Sequence, residues 1–233
     1  MNISVDNYNK FVKQLYANVF LLRLLIEFNF SPAKYLHPSQ RKNFFNQEIN
    51  DSVWSCQRVL PKLSKLILES LDLNNNLVQE IPNSNWCFLL LPPQRLARLA
   101  RHIGAIVLGS TIRSSIARDE ILNWKKNLGH DLFSFAMNGG MFFFSSKIKS
   151  ENVFASDVEL LGFQVMLSSI ELESPSIVKR ALLKFPDSLR PAQIETKAAQ
   201  SLVHSVFFLM ERQWDLLFNQ IKREFESTNQ GKY

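Results

Sequence analysis

Two consecutive prolines, Pro92 and Pro93, stand directly before a run in which Leu96, Leu99, Ile103 and Ile106 recur every three or four residues. No other stretch restricts the chain as strongly. Proline fixes φ at about −65° and has no N–H, so a helix cannot pass through the pair from the preceding side. Pro93 nevertheless suits the first helical position, where the amide hydrogen would have no intrahelical acceptor. The spacing of the leucines and isoleucines places them on one face of the helix that follows. Gly109 is a candidate end or kink of this helix, with Ile112 and Ile116 carrying the apolar register beyond it.

The same period recurs along the chain. Phe11, Leu15, Val19, Leu22 and Ile26 predict a helix over residues 4–28, and Phe20, Leu21, Leu24, Leu25 and Phe28 widen its apolar face. Such a helix is either buried in its own core or covered by a partner. Pro32 and Pro38 mark an ordered connector, and Asp51 is a candidate N-cap for a short helix containing Val53 and Trp54. Pro61 opens a helix with Leu63, Leu66, Ile67 and Leu71 as its core positions. The tract 72–85, with Asn74, Asn75, Asn76 and Pro82, reads as a loop and as a candidate subdomain boundary within a single helical domain spanning 1–233.

In the second half, Asp119 and Glu120, Lys125 and Lys126, and Gly129 give a complete helix start, last turn and stop. Asn138, Gly139 and Gly140 interrupt the pattern ahead of the apolar run Met141–Phe144, which predicts one short non-helical segment near 141–148. Ser156 and Glu159 match a capping box before Val158, Leu161, Val165, Met166 and Leu172. Ser174 and Pro175 open a short helix through Ile177, Ala181, Leu182 and Phe185 that Pro186 stops. The stripe Leu202, Val206, Met210, Trp214, Leu217, Ile221 and Phe225 predicts a last helix starting near Pro191, about 45 Å long at 1.5 Å per residue. Only 7 glycines and few alternating β-branched runs argue against an extended sheet. The fold class is therefore all-α, an irregular orthogonal multi-helix bundle without a repeat of solenoid length.

Catalytic and metal chemistry leave no signature. His37, His102, His130 and His204 lack metal-ligand spacing, and no phosphate-binding loop, GxSxG elbow, HExxH or GxGxxG is present. Cys56 and Cys87 form neither a CxxC pair nor a disulfide framework, which suits a reducing compartment. Neither a cofactor nor a metal is expected, and the chain reads as a non-enzyme. Asp6, Lys10, Lys13 and Arg23 break any signal-peptide layout, and the longest charge-free stretches, 132–146 and 198–210, fall short of a membrane span.

The formal charge of +6 is concentrated. Between Gln94 and Lys126, seven Lys or Arg residues face two acids, an excess of five. Arg95, Arg98 and Arg101 follow each other at i, i+3 along one side of the helix after Pro93, and Arg113 and Arg118 add charge farther on. Three readings fit this pattern: a solvated helix face, a docking surface for an acidic protein, and a nucleic-acid patch. The segment has almost no aromatic residues interleaved for base stacking and no recognisable nucleic-acid-binding motif, which makes a basic helical nucleic-acid-binding protein the alternative rather than the leading reading.

Two blocks also resemble a known family. Leu91-Pro92-Pro93-Gln94-Arg95-Leu96-Ala97-Arg98-Leu99-Ala100, followed by Ile103-Gly104, Leu108-Gly109, Ile112-Arg113, Asp119-Glu120 and Leu128-Gly129, resembles the central region of the type III secretion K component, the SctK family that includes YscK, OrgA and MxiK. Phe28-Asn29-Phe30-Ser31-Pro32-Ala33-Lys34-Tyr35-Leu36-His37-Pro38 is similar to the N-terminal tract of the same family, in the same order. The Ser and Thr content of 110–115 and the run Phe142–Phe144 depart from the pattern.

The resemblance implies a non-enzymatic subunit of the sorting platform in the bacterial cytoplasm, at the cytoplasmic face of the injectisome. It would link the cytoplasmic domain of the inner-membrane ring component SctD to the pod protein SctQ. Arg95, Arg98, Arg101, Arg113 and Arg118 would dock one partner by charge, and an apolar helical surface elsewhere would hold the other. Tyr35 and Leu36 are candidates for a second contact, or for packing the connector onto the core.

Overall fold

The computed structural model describes residues 19–45, 51–80, 82–115, 117–139, 158–187 and 189–211. These residues are predominantly helical, with no strand among the described residues. The first half comprises α1 (Val19–Phe30), the single turn α2 (Pro32–Tyr35), a 3-10 turn (Pro38–Gln40), α3 (Arg41–Phe44), α4 (Asp51–Ser55), α5 (Leu60–Ser70) and a second 3-10 turn (Cys87–Leu90). The second half comprises α6 (Pro93–Ser114), α7 (Arg118–Leu128), α8 (His130–Gly139), α9 (Val158–Ser169), α10 (Pro175–Lys184) and α11 (Thr196–Met210).

Helices α6 and α9 form the centre. α9 is buried nearly all round, from Val158 and Leu161 through Phe163, Val165 and Met166 to Ser169, as expected of a helix without a polar face. It lies between α6 and α11. The α6–α9 crossing is close because glycine stands at the contact on both helices. A Cβ on Gly104 would lie 1.9 Å from the Val158 carbonyl oxygen, and one on Gly162 would lie 1.8 Å from that of Ala100. Either methyl would strike main chain, which cannot swing aside as a side chain can, so the helices would have to separate. Gly109 repeats the device against α8, where a Cβ would lie 2.7 Å from the Ala136 carbonyl oxygen.

The main core cluster draws Leu21, Leu25 and Phe28 from α1, Leu63 and Ile67 from α5, Trp86 to Leu91, and Phe163, Ile177, Phe185 and Phe207 from the second half. Residues on both sides of the 72–85 tract therefore share one apolar cluster. A smaller cluster of Leu108, Ile112, Leu128, Leu132, Phe133 and Leu161 fills the α6–α7–α8 end. Within the tract, Leu73 and Val78 are buried. Asn29 fixes Val78 from both sides, donating to its carbonyl at 3.0 Å and accepting from its N–H at 2.8 Å.

The helix signals read from sequence fall where the structure puts them at several termini. Pro92 caps α6 and Pro93 opens it, Gly129 follows α7 with φ 78°, and Ser174-Pro175 opens α10 while Phe185 ends it. Other expectations need correction. α6 runs through Gly109 without ending, because close packing on α8 uses that glycine. The last helix begins at Thr196 rather than Pro191. The preceding segment is tied to α9 instead, with Ala192 N–H donating to Gln164 O at 3.2 Å and Ser168 Oγ donating to Ala192 O at 3.1 Å. Glu211 leaves helical geometry at φ −119°, ψ 61°, so the described helix has 15 residues.

Leu66 and Leu172 are exposed rather than core. The inner face of α5 is Leu60, Leu63, Ser64 and Ile67, where Ser64 Oγ accepts from Ala33 N–H at 3.2 Å, and α9 stops before Leu172 is reached. Expectations for 4–18, for Ile116, for 141–148, for Ser156 and for Trp214, Leu217, Ile221 and Phe225 lie outside the described residues.

Candidate docking surface and a buried lysine cavity

Arg95, Arg98 and Arg101 are exposed on the first turns of α6. Their row does not continue to the end of the helix. Arg98 and Arg101 lead at helical spacing into Ala105, Gly109 and Ile112, which are buried where α8 docks. His102 marks the border: its Nδ1 lies 2.8 Å from Arg98 O, and its ring meets Phe135 of α8 edge-on at 4.7 Å. Burial, reinforced by Arg98 and Arg101, lowers the pKa of His102 against a contrary hydrogen bond to Arg98. That favours the neutral ring beside the cationic row.

The five arginines are not one patch. Arg113 is half-buried and donates to Ala136 O at 3.3 Å, and it lies about 18 Å along the helix axis from Arg101 at 1.5 Å per residue. Its guanidinium is engaged in holding α8. Arg118 is exposed at the start of α7 next to Asp119 and Glu120, which offset its charge at a helix N-terminus. Arg95 pairs with Glu211 at 3.2 Å just beyond α11. Tyr35 and Leu36 are each 5% exposed. They pack the connector onto the core.

The two family-like blocks meet at a cavity of about 120 Å³. Phe28, Lys34 and Tyr35 line it from the first block, Leu91, Pro92 and Pro93 from the second, and Lys184 from α10. Lys184 explains how the diproline is accommodated. In a continuous helix the amide of residue 93 would donate to Leu89 O, but Pro93 has no N–H. Lys184 Nζ donates to Leu89 O instead, and also to Leu91 O at 2.8 Å. It stands 4.9 Å from the centre of the Tyr35 ring and 5.8 Å from that of Phe28, within cation–π range.

Burial lowers the Lys184 pKa to about 7, only partly opposed by Glu27. Glu27 also lines the cavity but pairs with Lys34 at 3.6 Å. Burial pushes the Tyr35 phenol above its ordinary range, so it stays protonated and donates to Phe28 O at 2.7 Å.

One turn earlier on α10, Arg180 is fully buried, with no acid paired to it among the described residues. It donates to Asn76 O at 2.7 Å, Ser176 O at 3.2 Å and Leu73 O at 3.2 Å, pinning the start of the 72–85 tract. Reading the sequence for charge density misses both cations. The available signal is register, since Ile177, Arg180, Ala181 and Lys184 share the inward i, i+3, i+4, i+7 spacing.

Among the described residues no three His, Cys, Asp or Glu side chains gather as a metal site, and no helix is long and apolar enough to cross a membrane. No curated protein and no solved structure matches the chain. A family model does match: the YOP proteins translocation protein K (YscK) family, over residues 25–216. That span contains the diproline helix, the connector and all of the cavity lining but Leu24, and the chain therefore belongs to the YscK family of type III secretion components.

Proposed function

We propose that this protein is a non-enzymatic adaptor of the type III secretion sorting platform, linking an SctD-like inner-membrane ring domain to an SctQ-like pod protein at the cytoplasmic face of the apparatus. The observation that carries this reading is the exposed row Arg95, Arg98 and Arg101 on a helix anchored by two glycine-mediated crossings. A rigid helix presents the three guanidiniums in fixed register, and such charge arrays govern encounter rate and orientation more than raw affinity. The partner face for this row is acidic.

The other contact is apolar, and we assign it to the outward side of α1. Val19, Ile26 and Phe30 lie there on one line, each at least half exposed, with the exposed Arg23 between Val19 and Ile26. Reversing Arg95, Arg98 and Arg101 together to Glu weakens capture of the ring or pod component while the thermal melt is retained. Unchanged capture would rule out the arginine row as a docking site. Titration with duplex and single-stranded nucleic acid checks the alternative, which requires steeply salt-dependent binding.

A further inference from the structure

A lysine buried without an acid is an incomplete ion pair. The Lys184 ammonium has three N–H groups, and two are used on the carbonyls of Leu89 and Leu91. One remains for the cavity. Among the described residues no carboxylate pairs with it, because the lining acid, Glu27, is held by Lys34. The cavity volume of about 120 Å³ is room for about four waters at about 30 Å³ each, or for the carboxylate end of one acidic side chain. Its walls are mostly leucyl, aromatic and prolyl, and besides Lys184 an entering anion would meet Lys34 and Glu27, which pair with each other.

We infer that the Lys184 cavity is a carboxylate receptor, seating one acidic side chain of the partner segment that docks across the start of α6. The inference rests on the docking reading for the source of the carboxylate. The geometry joins the two, since Pro92 and Pro93 line the cavity and Arg95 follows them on the same helix. A seated carboxylate supplies the missing counter-charge and draws Lys184 back to its protonated form. Glu27 opposes entry by like charge, while Lys34 on the same wall favours it.

Propionate, which copies the end of a glutamate side chain, is the probe, and the Lys184 side-chain resonance of the full chain is the readout. The expected result is a saturable shift with propionate and none with its neutral isostere propionamide. Glu27→Gln should tighten propionate severalfold by removing the like charge, and Leu24→Trp, which fills the cavity from α1, should abolish the shift. Both variants leave the Lys184 bonds to Leu89 and Leu91 in place, and a thermal melt verifies that they fold. An equal response to propionamide, or a response that survives Leu24→Trp, overturns the receptor.

Capture of the ring or pod component by Leu24→Trp should fall about tenfold, the scale of one lost charge-assisted contact. Wild-type capture by a variant that binds no propionate overturns the partner side chain as occupant. Reversal of Arg95, Arg98 and Arg101 leaves propionate binding unchanged. Failure of the propionate arm therefore removes the receptor alone, and failure of the arginine arm removes the docking reading alone.

Discussion

Arg95, Arg98 and Arg101 on α6 and Arg180 and Lys184 on α10 are all cations at helical spacing, yet the first three stand in solvent and the last two are buried. The difference lies in what surrounds each helix. α6 leaves its first turns open on the side away from α9, so the guanidiniums keep their water and cost the fold little. α10 lies against loop carbonyls at Leu73, Asn76, Leu89 and Leu91, and its cations donate N–H groups to them. One set is exposed to solvent, and the other holds the N-terminal half to the C-terminal half.

The largest expected effect separates the two sets by pH. The unfolded chain keeps the lysine proton up to a pH of about 10.4, whereas the folded chain releases it near pH 7. The unfolded state thus binds more protons across that window, and stability rises with pH from about 7 to about 10. The gain amounts to about 4 kcal/mol, measured by chemical denaturation of wild type against Lys184→Met, whose own pH profile lacks this component. A wild-type profile parallel to that of Lys184→Met would show that the lysine is not desolvated.

Next in size is Arg180→Met. Three carbonyls lose a bond to the guanidinium, and Asn76 O, at 2.7 Å, loses the shortest of them; the expected loss is about 3 kcal/mol in urea unfolding. A loss below about 0.5 kcal/mol, the range of an ordinary surface change, would place Arg180 in the same class as the α6 arginines.

Smaller still is the stability effect of reversing Arg98 and Arg101, which stays within about 1 kcal/mol because their charges are exposed to solvent. A larger loss in the same unfolding assay would mean that the row is structural and would weaken its assignment as a docking face. The smallest effect is the coupling between Arg95 and Glu211, expected at about 0.5 kcal/mol in a double-mutant cycle. They stand 3.2 Å apart with the arginine half exposed. Salt at high concentration should erase this coupling while leaving the Arg180 effect in place.

Much of the fold was legible before the structure because its signals are local. Pro92-Pro93, Gly129 and Ser174-Pro175 act on the backbone beside them, and the structure has the corresponding helix ends. The exposed arginine row was legible for the same reason, as a period on one helix. The signals failed where a distant element decided. Gly109 could be read as a break, but its missing Cβ serves the approach of Ala136 on another helix. Pro191 could be read as a helix start, but α9 holds Ala192 in a non-helical segment. Tyr35 and Leu36 sit in a connector that could have faced a partner, and the core covers them.

By itself, then, the sequence determined that this chain is helical, where several helices begin and end, and that a cationic row follows the diproline. Those properties depend on φ restriction, on missing or orphaned N–H groups and on a 3.6-residue period, all set within a few residues of one another. Only the tertiary structure decided that Arg113 is engaged on α8, that Gly104 and Gly162 bring α6 and α9 together, and that Lys184 completes the hydrogen bonding of a segment 93 residues away. Burial and carbonyl satisfaction are properties of the packed whole, because a side chain's solvent and partners are chosen by elements far from it in the chain.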